Sequence, residues 1–172
     1  MPNYSKQGKI TIALTEAQFI EGMERGPFCK PEHQAFLALL YHSGVRKSEA
    51  LEALKEQFQV TEDVIYFDVL RKKRSSQTAP LPIGLQKPFA KSITNSISKT
   101  RRHHRVFSFS PKTAYNIVAR VFYYPHHLRL TKITQLYEKG ATTTQLKSWT
   151  GLTLNALDYY TGLVDIQELG NL

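Results

Sequence analysis

Apolar residues recur at helical spacing through most of this chain, and the pattern turns to β-type residues in one stretch. Thr15-Glu16-Ala17-Gln18 forms a capping box, so a helix of about ten residues is predicted from here to Gly26-Pro27. Pro31 suits a first helical turn, and a second helix carrying Phe36, Leu37, Leu39, Leu40 and Tyr41 is predicted to stop near Gly44. Ser48 is placed to cap a third helix that buries Leu51 and Leu54. Val64-Ile65-Tyr66-Phe67-Asp68-Val69-Leu70 is rich in β-branched and aromatic residues and reads as a strand. Arg71 to Ser76 is polar and turn-like, and Thr78-Ala79-Pro80-Leu81-Pro82-Ile83 reads as a returning edge strand, where proline is tolerated. The result is a hairpin with lysines near its tip.

Helical patterning resumes after Gly84 and runs to about Ser98. A basic connection follows, Lys99 to Arg105. Further helices are predicted over Thr113–Tyr123 and His127–Lys139, the latter closed by Gly140. Short helical segments, Thr144–Trp149 and Leu154–Tyr160, are separated by Gly151. The fold class is α+β, mainly helical with one small antiparallel sheet. Residues 1–11 read as a polar arm and 163–172 as a mildly amphipathic tail that packs in cis or against a neighbour.

Composition narrows the function. The chain has 172 residues, 41% of them hydrophobic, enough for one domain with a real core. It has no run of eighteen apolar residues and no apolar stretch at the N-terminus, so neither a transmembrane helix nor a secretory signal is expected. Cys29 is the only cysteine, which excludes an intramolecular disulfide and fits a reducing compartment. The net charge of +9 points to polyanions, chiefly nucleic acid. No basic amphipathic helix with an aromatic face supports a membrane partner. The pairs His103-His104 and His126-His127 lack the cysteine or carboxylate that would complete a zinc spacing, so no metal is expected.

The chemistry that suits such a chain is metal-free phosphodiester cleavage. Charge building on the non-bridging oxygens needs fixed donors, and arginine supplies a planar fork that stays charged. A lysine can protonate the leaving 5′-oxygen, and a tyrosine can attack phosphorus and later be displaced. Arg46, Lys72, His126, Arg129 and a late tyrosine fill these roles in order along the chain. Taken singly, Arg46 and Lys72 also read as solvated charges, His126 as a helix cap, and Tyr159 and Tyr160 as packing residues.

These residues sit in segments that resemble the boxes of the tyrosine recombinase (phage-integrase) catalytic domain. Ser43-Gly44-Val45-Arg46-Lys47-Ser48-Glu49-Ala50-Leu51 is similar to "TGLR-x-SE-x-L", which makes Arg46 the first catalytic arginine and Glu49 the acid that supports it. The hairpin ending Ala79-Pro80-Leu81-Pro82 resembles "K-G-x-x-R-x-x-P-L" and puts the catalytic lysine at Lys72, with Lys73 its alternative. His126-His127-Leu128-Arg129-Leu130-Thr131 resembles "H-x-L-R-H-T", so His126 and Arg129 take the next two roles. The final box departs from "L-G-H-x-x-I-x-T-T-x-x-Y". Leu152 replaces the second histidine or tryptophan, and one residue is missing before Leu154. Aligning Leu154 with the isoleucine makes Tyr160 the nucleophile, ahead of Tyr159. Trp149 stands too early to replace the histidine and reads as core.

The resemblance covers residues 12–162 and implies an integrase-type fold. It also implies a site-specific recombinase acting through a 3′-phosphotyrosyl intermediate. No cofactor is implied, because the covalent link conserves bond energy. The implied partner is double-stranded DNA, with self-association as a tetramer on it, and the implied location is the cytoplasm of a host or infected cell. Losing one phosphate donor at Leu152 is expected to cost about two orders of magnitude in rate. A degenerate DNA-binding module of the same fold is therefore the alternative, and an RNA-binding basic domain a weaker one. Only eleven residues precede the matching stretch, so the N-terminal clamp of most members is not in this sequence. A half-clamp neutralising about six phosphates is expected to bind with a log K versus log salt slope of about −5.

Overall fold

Thr15 starts the first helix as its sequence dictates. Its hydroxyl accepts the Gln18 N–H at 3.1 Å, and the Gln18 side chain accepts the Thr15 N–H at 2.9 Å. The computed structural model describes residues 12–26, 30–71 and 80–158. Cys29, Lys72, Lys73, Tyr159, Tyr160, the N-terminal arm and the C-terminal tail lie outside them. Helix α1 spans Glu16–Arg25 and α2 spans Pro31–Ser43. Every residue from Ala35 to Ser43 in α2 is buried, so this helix is the axis of the core. Helix α4 (Ala90–Lys99), α5 (Pro111–Val121) and α6 (Pro125–Glu138) pack around it, and α7 (Thr143–Thr150) leans on α6. The Phe19 ring of α1 stacks on Tyr41 of α2, centroids 3.7 Å apart. Leu130, Ile133, Leu146 and Leu157 form a second apolar cluster between α6, α7 and the helical residues 154–158.

Helix α3 is short, Lys47–Leu51, and departs from expectation at both ends. Arg46, not Ser48, occupies the N-cap position, and the Glu49 side chain accepts its N–H at 2.7 Å. Leu51 is buried, but Leu54 has left the helix and bridges Arg105 through the backbone. After one 3₁₀ turn (Lys55–Gln57) comes a strand the sequence did not announce, β1 (Phe58–Val60). Three residues between polar flanks give too short an alternation to read. It pairs antiparallel with β2 (Val64–Phe67), which in turn pairs with β3 (Leu81–Gly84). Ile65 faces Ile83, Phe67 faces Leu81, and these side chains are buried. Pro82 lies on the edge strand, as its missing N–H requires. Strand β2 stops at Phe67, three residues short of expectation. Residues 85–89 form turns rather than the start of α4, and Phe89 takes a positive φ of 63°. Helix α6 starts at Pro125, so His126 lies inside its first turn. Among the described residues no helix is long and apolar enough to cross a membrane.

Candidate functional site

Helix α2 ends at Gly44, whose φ of 68° suits glycine and turns the chain sharply toward α3. A Cβ there would lie 2.7 Å from the Lys132 Cβ, so the loop rests directly on α6. Helix α7 ends the same way at Gly151, also at φ 68°, where a Cβ would meet the Arg71 Cδ at 2.5 Å. Two helix C-termini therefore stand side by side. Each presents unsatisfied carbonyls and the negative end of a helix dipole, and such ends favour cations.

Two arginines supply them. Arg129 reaches from α6 and donates through Nη1 to the Gly44 carbonyl at 2.8 Å and through Nη2 to the Thr150 carbonyl at 2.9 Å. It is 1% exposed, the largest fully buried side chain among the described residues. Arg71 donates through Nη2 to the Trp149 carbonyl at 2.7 Å and through Nη1 to the Glu49 carboxylate at 3.2 Å. Both members of the Arg71–Glu49 pair are nearly closed from solvent, at 6% and 8% side-chain exposure. Burial pushes the Arg71 guanidinium below its ordinary pKa, and the Glu49 charge opposes that shift. The Trp149 indole adds a third tie, donating to the Ser43 carbonyl at 2.7 Å.

Arg46 stands at the rim of this network. Its backbone N–H is held by Glu49 Oε1, and its Nη1 lies 3.6 Å from Glu49 Oε2. Unlike Arg71, its side chain is 43% exposed. Arg46 and Arg129 thus meet at one short loop, Gly44 to Arg46, one in solvent and the other beneath it. His126 is exposed, one turn ahead of Arg129 on α6. Its neighbour His127 is the buried one, donating from Nε2 to the Ile12 carbonyl at 2.5 Å, and burial lowers its pKa. Leu152 packs against the apolar cluster of Leu130, Ile133, Leu146 and Leu157, so hydrocarbon occupies this position. Trp149, expected in the core, packs against it and is partly buried.

Two residues of this network escaped the sequence. Arg71 sits in the run Arg-Lys-Lys-Arg, where charge gives no sign of which member turns inward. Lys132 lies over the Trp149 ring, Nζ 5.0 Å from its centroid. Burial, with the like charges of Lys139 and Lys87, pushes its ammonium down to about 8. The 3-residue spacing from Arg129 along α6 was the available signal for Lys132. Among the described residues no three histidine, cysteine or acidic side chains gather as a metal site.

No protein-family model matches the chain, and no curated relative is similar to it in sequence. Solved structures match in fold. One is the XerH site-specific recombinase bound to its difH substrate in a pre-cleavage complex: TM-score 0.70, 16% identity, over 92% of this chain and 56% of that one. XerA recombinase matches at TM-score 0.66 and 14% identity, over 99% of this chain and 66% of that one. The catalytic domain of bacteriophage HP1 integrase matches at TM-score 0.59 and 17% identity, over 88% and 87%. The chain spans little more than half the length of XerH. At these identities the likeness is one of fold: helices around a small three-stranded antiparallel sheet, as in integrase catalytic domains.

Proposed function

With the fold of site-specific recombinases and integrases as the premise, we propose that this chain is a tyrosine recombinase catalytic domain that breaks and rejoins double-stranded DNA. The observation that carries the reading is that Arg46, held by Glu49, and Arg129, bonded to the Gly44 carbonyl, share the Gly44 loop. In the proposed step the Tyr160 oxygen attacks the scissile phosphorus. A 3′-phosphotyrosyl bond forms as the bond from phosphorus to the 5′-oxygen breaks. Lys72 gives its proton to that oxygen, and His126 takes the phenol proton. Arg46 binds a non-bridging oxygen from the solvent side. Arg129, buried beneath the loop with its terminal nitrogens on the Gly44 and Thr150 carbonyls, would have to turn outward to serve the other. Rejoining is the reverse, with a new 5′-hydroxyl as nucleophile. Assembly into a tetramer on paired sites is part of this reading and would supply the second duplex.

A nicked duplex that loses its 5′-hydroxyl strand traps the intermediate. The wild-type chain is expected to give a covalent protein–DNA adduct, Tyr160→Phe none, and Arg46→Ala an adduct formed about 10²- to 10³-fold more slowly, as when one oxyanion donor is lost. An adduct that persists in Tyr160→Phe and maps to Tyr159 moves the nucleophile by one residue. Total absence of adduct from the wild-type chain, with duplex binding intact, sinks the enzyme reading. It would favour the second one, a binding module without the reaction. Two observations support that second reading: Leu152 sits in an apolar cluster, and the Arg129 side chain is closed from solvent.

A further inference from the structure

A groove of about 720 Å³ runs between the first turn of α2, the last turns of α4 and the segment that follows α4. It lies at the opposite end of α2 from Gly44, about 20 Å away for a helix of this length. Lys30, Lys99, Arg101, His104 and Arg105 line it, against one carboxylate, Glu32. The remaining lining is mostly hydroxyl and amide groups, including Gln34, Ser92, Asn95 and Ser96.

The basic segment is held firmly. The Lys55 N–H donates to the His104 carbonyl at 3.0 Å, and the Val106 N–H to the Ala53 carbonyl at 3.0 Å. The Lys55 ammonium donates to the Thr100 carbonyl at 2.7 Å. The Glu56 carboxylate accepts from the His103 backbone N–H, where the chain takes a φ of 66°. Residues 101–105 all stay exposed on this pinned backbone. Cations on a fixed loop repel one another, and they lose little further freedom when an anion arrives. Arginine forks with hydroxyl and amide donors between them suit phosphate and sugar oxygens. Only two apolar side chains, Pro31 and Val106, line it, too few to anchor the apolar face of an amphipathic acidic peptide.

We propose that this groove is a second nucleic-acid site, which grips a sugar-phosphate backbone at the pole opposite Arg46 and Arg129. It takes a segment of duplex other than the one whose phosphate lies at the Gly44 loop, and it operates whether or not the chain transfers strands.

The test is fluorescence anisotropy of the whole chain with a labelled 25-base-pair duplex of random sequence, from low to moderate salt. Arg101→Gln/Arg105→Gln is expected to reduce the magnitude of the log K versus log salt slope by about 1.8, that is, about 0.9 for each phosphate no longer neutralised. Arg25→Gln/Lys139→Gln removes the same charge elsewhere and is expected to leave the slope unchanged. Circular dichroism checks that both variants fold, and Lys30→Gln/Lys99→Gln is the second groove variant should the first not fold. An unchanged slope in the groove variant overturns the proposal, as does an equal fall in the control. The trapped-adduct assay is read separately. A wild-type chain that forms no adduct but shows the slope difference fails as a strand transferase and still has this site.

Discussion

Glu49 holds three groups at once: the Arg46 backbone, the Arg46 side chain and the buried Arg71 guanidinium. Removing it leaves Arg71 as a buried cation without its carboxylate, and breaking such a pair costs about 3–5 kcal/mol. Glu49→Ala is therefore expected to lose stability on that scale in urea unfolding, where Glu49→Gln, which keeps an acceptor oxygen, loses less. A loss below about 1 kcal/mol for the alanine variant would show that the pair is solvated. At this scale the sequence was partly legible. The resemblance singled out Arg129, but the spacing His-x-x-Arg is the same whether the arginine faces solvent or turns inward onto two carbonyls. Only the meeting of two helix C-termini decides that. Arg71 was hidden among four consecutive cations, and its inward turn depends on Gly151, eighty residues later, having no Cβ.

The end of α2 is tied to the turn before α4 by one histidine. His42 donates from Nε2 to the Pro88 carbonyl at 2.7 Å, and burial, with Lys132 and Lys87 nearby, pushes its pKa down to about 4. In the unfolded chain it returns to about 6.5. Between those values the unfolded state holds a proton that the folded state refuses, so stability falls as pH falls from about 6.5 to about 4. The loss is on the order of 3 kcal/mol, and His127, lowered by burial, adds in the same direction. The urea midpoint is expected to drop across this window, and His42→Gln to flatten most of that drop. A variant curve parallel to wild type would show that His42 is not the titrating group. The elements themselves were read well where their ends are marked, as in α2, whose bounds follow from Pro31 and Gly44. They were read badly where structure is short or set by distant partners. Strand β1 exists because Phe58 stacks on Phe67, 4.4 Å between centroids, a contact that three residues in isolation cannot announce.

Over the whole molecule, positive charge gathers at both ends of the central helix. The composition gave the excess of cations but not its division between a network of arginines on helix ends and a pinned basic loop. The resemblance gave candidate strand-transfer residues by order along the chain. Of those, Arg46, His126 and Arg129 lie on described elements, and Lys72 and Tyr160 lie just past Arg71 and Asp158. The Arg129 guanidinium also joins stretches of chain more than a hundred residues apart, Gly44 and Thr150, across a single side chain. Segments joined in this way open together or not at all. Amide hydrogen exchange is thus expected to speed up jointly at Val45 and Leu152 in Arg129→Lys, whose ammonium cannot fork to both carbonyls. Acceleration at one end only would mean that the two ends breathe separately, and that the Gly44 loop does not sense the end of α7.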